Sequence, residues 1–159
     1  MPVEPIPAGY ASVTPYLIVR PAKLAIDFYK RAFGASEVLR VDGPDGAIGH
    51  AELRIGDSII MLAVGINGYP DPHKLGGSPV SLHLYVKNVD EVFDRAVAAG
   101  ATAKRPVANQ FYGDRLGTLI DPFGHVWSIA THVEDVSLQE IDRRMKAMQE
   151  AAGKPAGNA

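Results

Sequence analysis

The sequence contains no cysteine among its 159 residues. Disulfides, thiolate zinc sites and cysteine nucleophiles are therefore excluded. No apolar run approaches the roughly 20 residues that a helix needs to span a bilayer. The N-terminal residues M-P-V-E-P-I-P-A-G-Y lack the basic and apolar regions of a signal peptide. We therefore expect a cytoplasmic protein with no membrane partner.

An excess of positive charge is also absent. The chain has 16 basic and 18 acidic residues, a net charge of −2, and no basic stripe. Nucleic acid is therefore not an expected partner. Hydrophobic residues make up 47% of the sequence, which fits one folded domain or two half-size modules that share a core.

The apolar pattern predicts an α+β fold. Strands are predicted at 13–19, 36–41, 47–55, 58–64, 80–86, 103–107, 116–120 and 126–131, and helices at 22–33, 89–99 and 137–151. Residues 1–11 form a proline-rich irregular arm, and 152–159 form a tail that we expect to be disordered. The glycine- and proline-rich loop at 65–79 is long enough to be a lid.

The order strand, helix, three strands occurs twice, and Val13–Arg20 shares its pattern with Val80–Lys87. Two βαβββ modules, 12–66 and 80–132, are therefore predicted. We expect them to form a curved mixed sheet with helices on one face and a cavity on the other. A C-terminal helix follows within 133–151.

Side chains alternate along a strand, so one set on each strand faces the predicted cavity. This inward set, together with two loop aromatics, makes up the candidate ligand site: Thr14, Tyr16, His50, Glu52, Arg54, Met61, Ser81, His83, Phe111, Tyr112 and Ser128. Glu52 is also a candidate catalytic acid or base, because burial and neighbours can shift a carboxyl pKa toward neutrality. The alternative is structural, with His50 and Glu52 simply pairing with each other.

The segment Asp121-Pro-Phe-Gly-His125 predicts a tight corner between two strands. Asp121 is expected to accept hydrogen bonds from turn amides, and His125 is expected to face the helices in a structural role. Asp114 and Arg115 are predicted to form an ion pair. In the long loop, Tyr69 and His73 are candidates for reaching the cavity.

Four segments together resemble the vicinal-oxygen-chelate superfamily, which includes glyoxalases, bleomycin-resistance proteins and dioxygenases. They are P15-Y-L-I-V with A25-I-D-F-Y-K-R-A-F-G-A, H50-A-E-L-R-I-G-D, L82-H-L-Y-V-K-N-V-D and F111-Y-G-D-R-L-G-T-L-I-D-P-F-G-H-V-W. The combination is most similar to the PhnB-like branch. The resemblance implies the glyoxalase/bleomycin-resistance/dioxygenase fold and a homodimer.

Metal-dependent members of that superfamily hold a divalent ion with histidine or glutamate on the first and last strands of the modules. The resemblance places Thr14, Ser81 and Ser128 at those positions, with Ile59 or Met61 on the remaining strand. Hydroxyls are poor ligands for such ions, so no metal cofactor is expected. One alternative divalent site would use His50, Glu52 and His83.

Three functional hypotheses follow. The first is a metal-free protein that binds a small molecule and sequesters a metabolite or antibiotic. The second is a lyase or isomerase acting on a small carbonyl or hydroxy compound, with Glu52 as base and His50 and His83 orienting the substrate. The third is a non-catalytic interaction protein. In the last helix, a stripe of Leu138, Ile141, Met145 and Met148 fits either a dimer contact or packing within one chain.

Overall fold

The computed structural model describes residues 3–65 and 68–153. Its elements, in chain order, are β1 Tyr16–Ile18, α1 Ala22–Phe33, β2 Ser36–Asp42, β3 Ile48–Ile55, β4 Ser58–Ala63, α2 Pro72–Leu75, β5 Ser81–Tyr85, α3 Val89–Ala98, β6 Thr102–Asn109, β7 Asp114–Ile120, β8 Val126–His132 and α4 Leu138–Gly153. Across this described part of the chain, no helix combines the length and apolarity that a membrane span requires. Most of the predicted tail, residues 154–159, lies outside the described residues.

The strands form two four-stranded sheets with the same internal order. The first sheet runs β1-β4-β3-β2 and the second runs β5-β8-β7-β6. In both sheets the outer pair, β1 with β4 and β5 with β8, is parallel, and the other pairs are antiparallel. The predicted α+β architecture of two βαβββ units and a C-terminal helix is therefore confirmed.

Strand β1 is shorter than predicted. Pro15 has no N–H group to donate to a ladder, and its carbonyl accepts from the N–H of Met61 at 2.9 Å. Strands β7 and β8 extend two residues and one residue, respectively, beyond the predicted ranges at the ends where they pair. This extension brings Asp114 directly opposite His132.

The core lies between the sheets and helices α1 and α3, which also pack against each other. On α1 the buried face includes Ile26, Phe28 and Tyr29, whereas Leu24 is exposed. Phe93 of α3 lies so close to Gly117 of β7 that a Cβ there would stand 2.7 Å from the ring. Glycine at this position therefore sets how closely α3 approaches the second sheet.

Helix α2, in the segment between the sheets, is attached to the second sheet unit through His73. Asp71 begins α2, and its carboxylate accepts from the N–H groups of His73 and Lys74 at 3.0 and 3.2 Å. The His73 ring is bonded to the Pro122 carbonyl at 3.0 Å. Tyr69, in contrast, is largely exposed. Residues 66 and 67 of the predicted lid fall outside the described residues.

Helix α4 extends from the second sheet and buries none of its residues fully. Ser137 caps its first turn by accepting from the N–H of Glu140 at 3.2 Å. Arg144 attaches the helix to the protein through Glu134, at 2.7 and 2.9 Å, and through the Phe111 carbonyl, at 3.2 Å. Leu138, Met145 and Met148 remain exposed and Ile141 is half-buried, so packing within one chain covers only part of the apolar stripe.

Candidate ligand-binding site

Polar side chains line the sheet faces that point away from the helices. On β3, Ala51 and Leu53 are fully buried, so His50, Glu52 and Arg54 point the other way. Glu52 lies opposite Met61 and Arg54 opposite Ile59. Met61 in turn pairs with Tyr16 on β1. The equivalent row of the second sheet holds Thr118, Ser128 and His83.

Four side chains form a connected group on the first sheet, which we call the Glu52 cluster: Tyr10, Tyr16, His50 and Glu52. His50 Nε2 lies 3.1 Å from Glu52 Oε1, and His50 Nδ1 lies 3.0 Å from the Tyr16 hydroxyl. The other carboxylate oxygen, Glu52 Oε2, accepts from the Tyr10 hydroxyl. Glu52 is buried, and each of its oxygens therefore has a partner.

The electrostatics of the Glu52 cluster favour an ionised carboxylate. Burial raises the pKa of Glu52, but the hydrogen bonds from Tyr10 and His50 outweigh burial and leave the pKa below its usual value. The same contact raises the pKa of the Tyr10 phenol. The expectation that the neighbours of Glu52 bring its pKa toward neutrality is therefore wrong. Near neutral pH, Glu52 is a hydrogen-bond acceptor.

A second group, the Asp114 cluster, lies on the other sheet and contains Tyr85, Asp114, His132 and Asp135. The Tyr85 hydroxyl donates to Asp114 Oδ2 at 2.8 Å, and His132 Nδ1 lies 2.8 Å from Asp114 Oδ1. The remaining ring nitrogen of His132 is 2.8 Å from Asp135 Oδ1. The sequence did not predict this cluster. The predicted strands began at residue 116 for β7 and ended at residue 131 for β8, so both Asp114 and His132 fell outside them.

The Asp114 cluster behaves as a histidine held between two acids. The hydrogen bond to Asp135, followed by that to Asp114, raises the pKa of His132. Burial raises the pKa of Asp114, but its bonds to His132 and Tyr85 outweigh burial and leave that pKa lowered. These opposite directions favour an imidazolium beside a carboxylate.

The other predicted site residues are spread along the same faces. Thr14 donates to the Ala11 carbonyl at 3.3 Å, Ser81 is exposed, and the Ser128 hydroxyl lies 3.4 Å from that of Thr118. Phe111 and Tyr112 contact each other edge to face, with centroids 5.2 Å apart, on the loop that receives Arg144. Met61 and Arg54 are half-buried beside the Glu52 cluster.

His83 does not join His50 and Glu52. Its ring packs on Tyr85, with centroids 4.7 Å apart, and in the described chain it has no bond to either residue. Within residues 3–65 and 68–153, no three histidine, aspartate or glutamate side chains lie where they could hold one ion. The alternative metal set of His50, Glu52 and His83 is therefore not assembled within one chain.

The positions that carry metal ligands in metal-dependent relatives do not suit a divalent ion either. In this chain they hold the hydroxyls of Thr14, Ser81 and Ser128, and Met61 occupies the adjoining row. Neutral hydroxyls and a thioether bind zinc, nickel or iron far more weakly than imidazole and carboxylate. No reaction step through a metal follows from these residues.

The corner at Asp121 is structural. Asp121 Oδ1 accepts from the N–H groups of Phe123 and His125 at 2.9 and 3.0 Å. Its other oxygen accepts from the Tyr29 hydroxyl at 2.6 Å and the Trp127 indole at 2.9 Å. The His125 ring is 2.9 Å from the Ile18 carbonyl. Asp121 and His125 thus join the second unit to α1 and β1 of the first.

The predicted ion pair between Asp114 and Arg115 is wrong. Neighbouring residues on a strand point to opposite faces, so Arg115 lies on the helix side. Its Nε and Nη2 atoms donate to the two carboxylate oxygens of Asp90 on α3 at 2.8 and 2.7 Å. Asp114 is left for Tyr85 and His132. Arg115 therefore has a structural partner.

A cavity of about 270 Å³ lies where the two sheets adjoin. Its wall includes β1, Leu82 and His125, and the segment with Pro70, Pro72 and Pro79 covers it. The lining is mostly apolar, and the Glu52 carboxylate is not part of it. The Glu52 cluster lies on the open face of the first sheet, and its Tyr16 also lines the cavity.

Fold and site together define a protein of two βαβββ units with polar sheet faces and hydroxyls at the ion-binding positions. The family model for the glyoxalase/bleomycin resistance protein/dioxygenase superfamily matches residues 10–129. The chain belongs to this superfamily, and PhnB-like proteins are among its structural neighbours.

Relatives occur among curated proteins and solved structures. An uncharacterised protein of Mycobacterium bovis is 43% identical over 141 residues, which cover 86% of this chain and 93% of that protein. TioX from Micromonospora sp. ML1 has a TM-score of 0.61 and 28% identity, covering 80% of this chain and 100% of TioX. The PhnB protein from Bacillus cereus, at 20% identity and a TM-score of 0.59, covers 76% of this chain and 99% of its own, and shares the fold.

Proposed function

We propose that this chain binds a small molecule at the Glu52 cluster without transforming it and without a resident metal, sequestering a metabolite or antibiotic. The observation that carries this proposal is the buried Glu52 carboxylate on a sheet face, hydrogen-bonded to Tyr10 and His50. It offers a ligand one strong hydrogen-bond acceptor, and Met61 and Tyr16 next to it supply apolar and aromatic surface. A few placed polar groups on an apolar wall suffice for small-molecule recognition.

The enzymatic alternative is a lyase or isomerase in which Glu52 acts as base and His50 orients the substrate. A general base works best with a pKa near the operating pH. The lowered pKa of Glu52 makes it a weak base, and this direction favours binding over proton abstraction.

The test is a thermal-shift panel of metabolites and antibiotics, followed by calorimetric titration of the compounds that stabilise the protein. We expect at least one ligand whose affinity falls about tenfold or more in Glu52→Gln, which corresponds to roughly 1.4 kcal/mol. Asp57→Asn is the matched control, because Asp57 is an exposed carboxylate in the neighbouring hairpin, bonded to Ser58. It should leave the affinity unchanged.

Three outcomes would contradict the proposal. A product formed from the bound compound would favour the enzyme. One tightly bound equivalent of divalent metal in protein purified without chelator would contradict the metal-free assignment. A panel in which no compound raises the melting temperature would favour the non-catalytic interaction protein.

We also propose that the chain forms a homodimer and that the exposed apolar side of α4 contributes to the contact. Leu138 and Met148 on that side are 81% and 57% exposed, and exposed apolar stripes of this kind commonly mark association surfaces. Light scattering after gel filtration should show a dimer that Met148→Glu converts to monomer. Gln139→Glu adds the same charge elsewhere on the helix and should leave the dimer intact. A monomeric wild type, or a dimer unaffected by Met148→Glu, would contradict this.

A further inference from the structure

The N-terminal arm crosses the open face of the first sheet. A turn at its end is closed by the Tyr10 N–H, which donates to the Pro7 carbonyl at 3.1 Å. Gly9 lies over Arg54, so that a Cβ there would stand 3.4 Å from the guanidinium. The hydroxyl of Tyr10 then reaches Glu52, 42 residues away in sequence. The arm therefore covers the acidic residue that the proposed function assigns to the ligand.

Among the described residues of the arm, Tyr10 is the one whose side chain hydrogen-bonds to the sheet. Residues 3–9 and 11–13 are exposed, and Tyr10 alone in this stretch is half-buried. No strand pairing holds residues 3–12, since β1 begins only at Tyr16. A segment held by one side chain can leave the surface without disturbing the core.

The contact with Tyr10 supplies a hydrogen-bond donor that the buried Glu52 carboxylate requires. Within the described chain, His50 partners one carboxylate oxygen and Tyr10 the other. A buried carboxylate oxygen without a donor is strongly unfavourable. A ligand that binds Glu52 must therefore replace the Tyr10 hydroxyl with a hydrogen-bond donor of its own. Such a ligand would occupy the space that the phenol ring of Tyr10 fills.

We propose that Tyr10 is a tethered occupant of the Glu52 site, and that the ligand is a flat ring compound bearing a hydroxyl donor, which displaces Tyr10. This inference rests on the proposed function and deepens it. The arm and the ligand compete for one oxygen of Glu52. The measured affinity of the protein for the ligand is therefore its intrinsic affinity multiplied by the fraction of molecules in which Tyr10 is away from Glu52.

The test compares two probes of one shape. 4-Cyanophenol carries a hydroxyl donor, and 4-methoxybenzonitrile carries a methyl ether in its place. Calorimetric titration should show that Tyr10→Ala binds 4-cyanophenol about tenfold or more tightly than wild type, because the tethered competitor is gone. The ether should gain nothing, and Glu52→Gln in the Tyr10→Ala background should abolish the gain. Tyr69→Ala, which removes an exposed tyrosine, is the matched control.

A second measurement follows the arm itself. Hydrogen–deuterium exchange of the peptide covering residues 3–12 should rise when 4-cyanophenol is added to wild type, and Tyr10→Phe should show fast exchange without the probe. Thermal melting checks that the variants fold. Equal affinities of wild type and Tyr10→Ala for the phenol, or equal gains for both probes, would overturn the inference.

The two proposals fail separately. One outcome is that a ligand from the panel requires Glu52 for binding, while neither its affinity nor that of 4-cyanophenol changes in Tyr10→Ala. In that case the binding function stands and the tethered-occupant inference is wrong. If no compound depends on Glu52 in either background, the proposed function fails, and the inference fails with it.

Discussion

The two βαβββ units share a sheet order but place their carboxylates differently. In the first unit, Glu52 lies in the middle of β3, and one of its partners, Tyr10, comes from the arm before the sheet. In the second, Asp114 begins β7, and its partners Tyr85 and His132 lie on strands of the same sheet. The register position equivalent to Glu52 holds Thr118. A duplicated framework thus carries two independent polar groups.

Only one of the two clusters is built so that it can open. The Asp114 cluster is built from strand residues whose backbones are fixed by ladder bonds, and the segment after β8 adds Asp135. The Glu52 cluster is completed by a side chain on an exposed arm. The Asp114 cluster is suited to a structural role, and the Glu52 cluster is suited to exchanging one of its partners for a ligand.

The largest expected effect comes from removing the link between the units. Asp121→Ala leaves the Tyr29 hydroxyl, the Trp127 indole and two turn N–H groups without their acceptor. We expect a loss of about 3–5 kcal/mol in the free energy of unfolding. Urea denaturation followed by tryptophan fluorescence measures it, with Asp57→Ala as an exposed control. A loss as small as the control's would mean that the units do not depend on this corner.

The next effect concerns the C-terminal extension of the second unit. The carbonyl of Gly113 accepts from the N–H groups of Val133 and Glu134 at 3.0 Å. A Cβ on Gly113 would stand 2.1 Å from the Glu134 carbonyl oxygen at a φ of +106°. Gly113→Ala should therefore lower the free energy of unfolding by about 2–3 kcal/mol and expose α4 to limited proteolysis.

Gly46→Ala is the matched control for Gly113→Ala. Gly46 also has a positive φ, +71°, but open space around its Cβ position. It should cost only the strain of roughly 1 kcal/mol. Equal losses in the two variants would mean that the contact with Glu134 contributes nothing.

A smaller effect distinguishes the Glu52 cluster in acid. Because the pKa of Glu52 is lowered in the folded protein, its stabilisation is complete above the ordinary value of 4.5 and is lost as the pH falls through the folded value. At neutral pH, Glu52→Gln should reduce the free energy of unfolding by about 1 kcal/mol. Urea titrations at several pH values should show the two proteins converging in acid; a constant difference would contradict this.

The smallest effect lies on the alkaline side and belongs to the Asp114 cluster. The pKa of His132 is raised in the folded protein, so its stabilisation is present below the ordinary value of 6.5 and is lost as the pH rises through the folded value. His132→Gln should flatten the fall of Tm above pH 6.5. Asp135→Asn, which removes one of the two acidic partners, should flatten it in part. An unchanged slope in His132→Gln would contradict the assignment.

Much of the fold was predictable because its signals are local. Alternation along β3 correctly placed His50, Glu52 and Arg54 on the face away from the helices, and the repeated order of elements predicted the two βαβββ units. The Asp114 cluster was missed because a boundary shift of two residues conceals Asp114 from such reasoning. The contact of Tyr10 with Glu52 joins an irregular segment to a strand, and no periodicity encodes it. The pKa of Glu52 was misjudged because its direction depends on these donors.

The segment between the sheets has a consequence for cleavage of the chain. Its second half is fastened at His73 to the Pro122 carbonyl, and Pro72 lies against Gly124, where a Cβ would stand 2.7 Å away. A protease cut near Gly68 would therefore leave two fragments, each with a complete sheet. The first would hold Tyr29, and the second would hold Asp121 with its other three donors. Such fragments should reassociate when mixed, and the molecule offers a natural place to divide it into a split reporter.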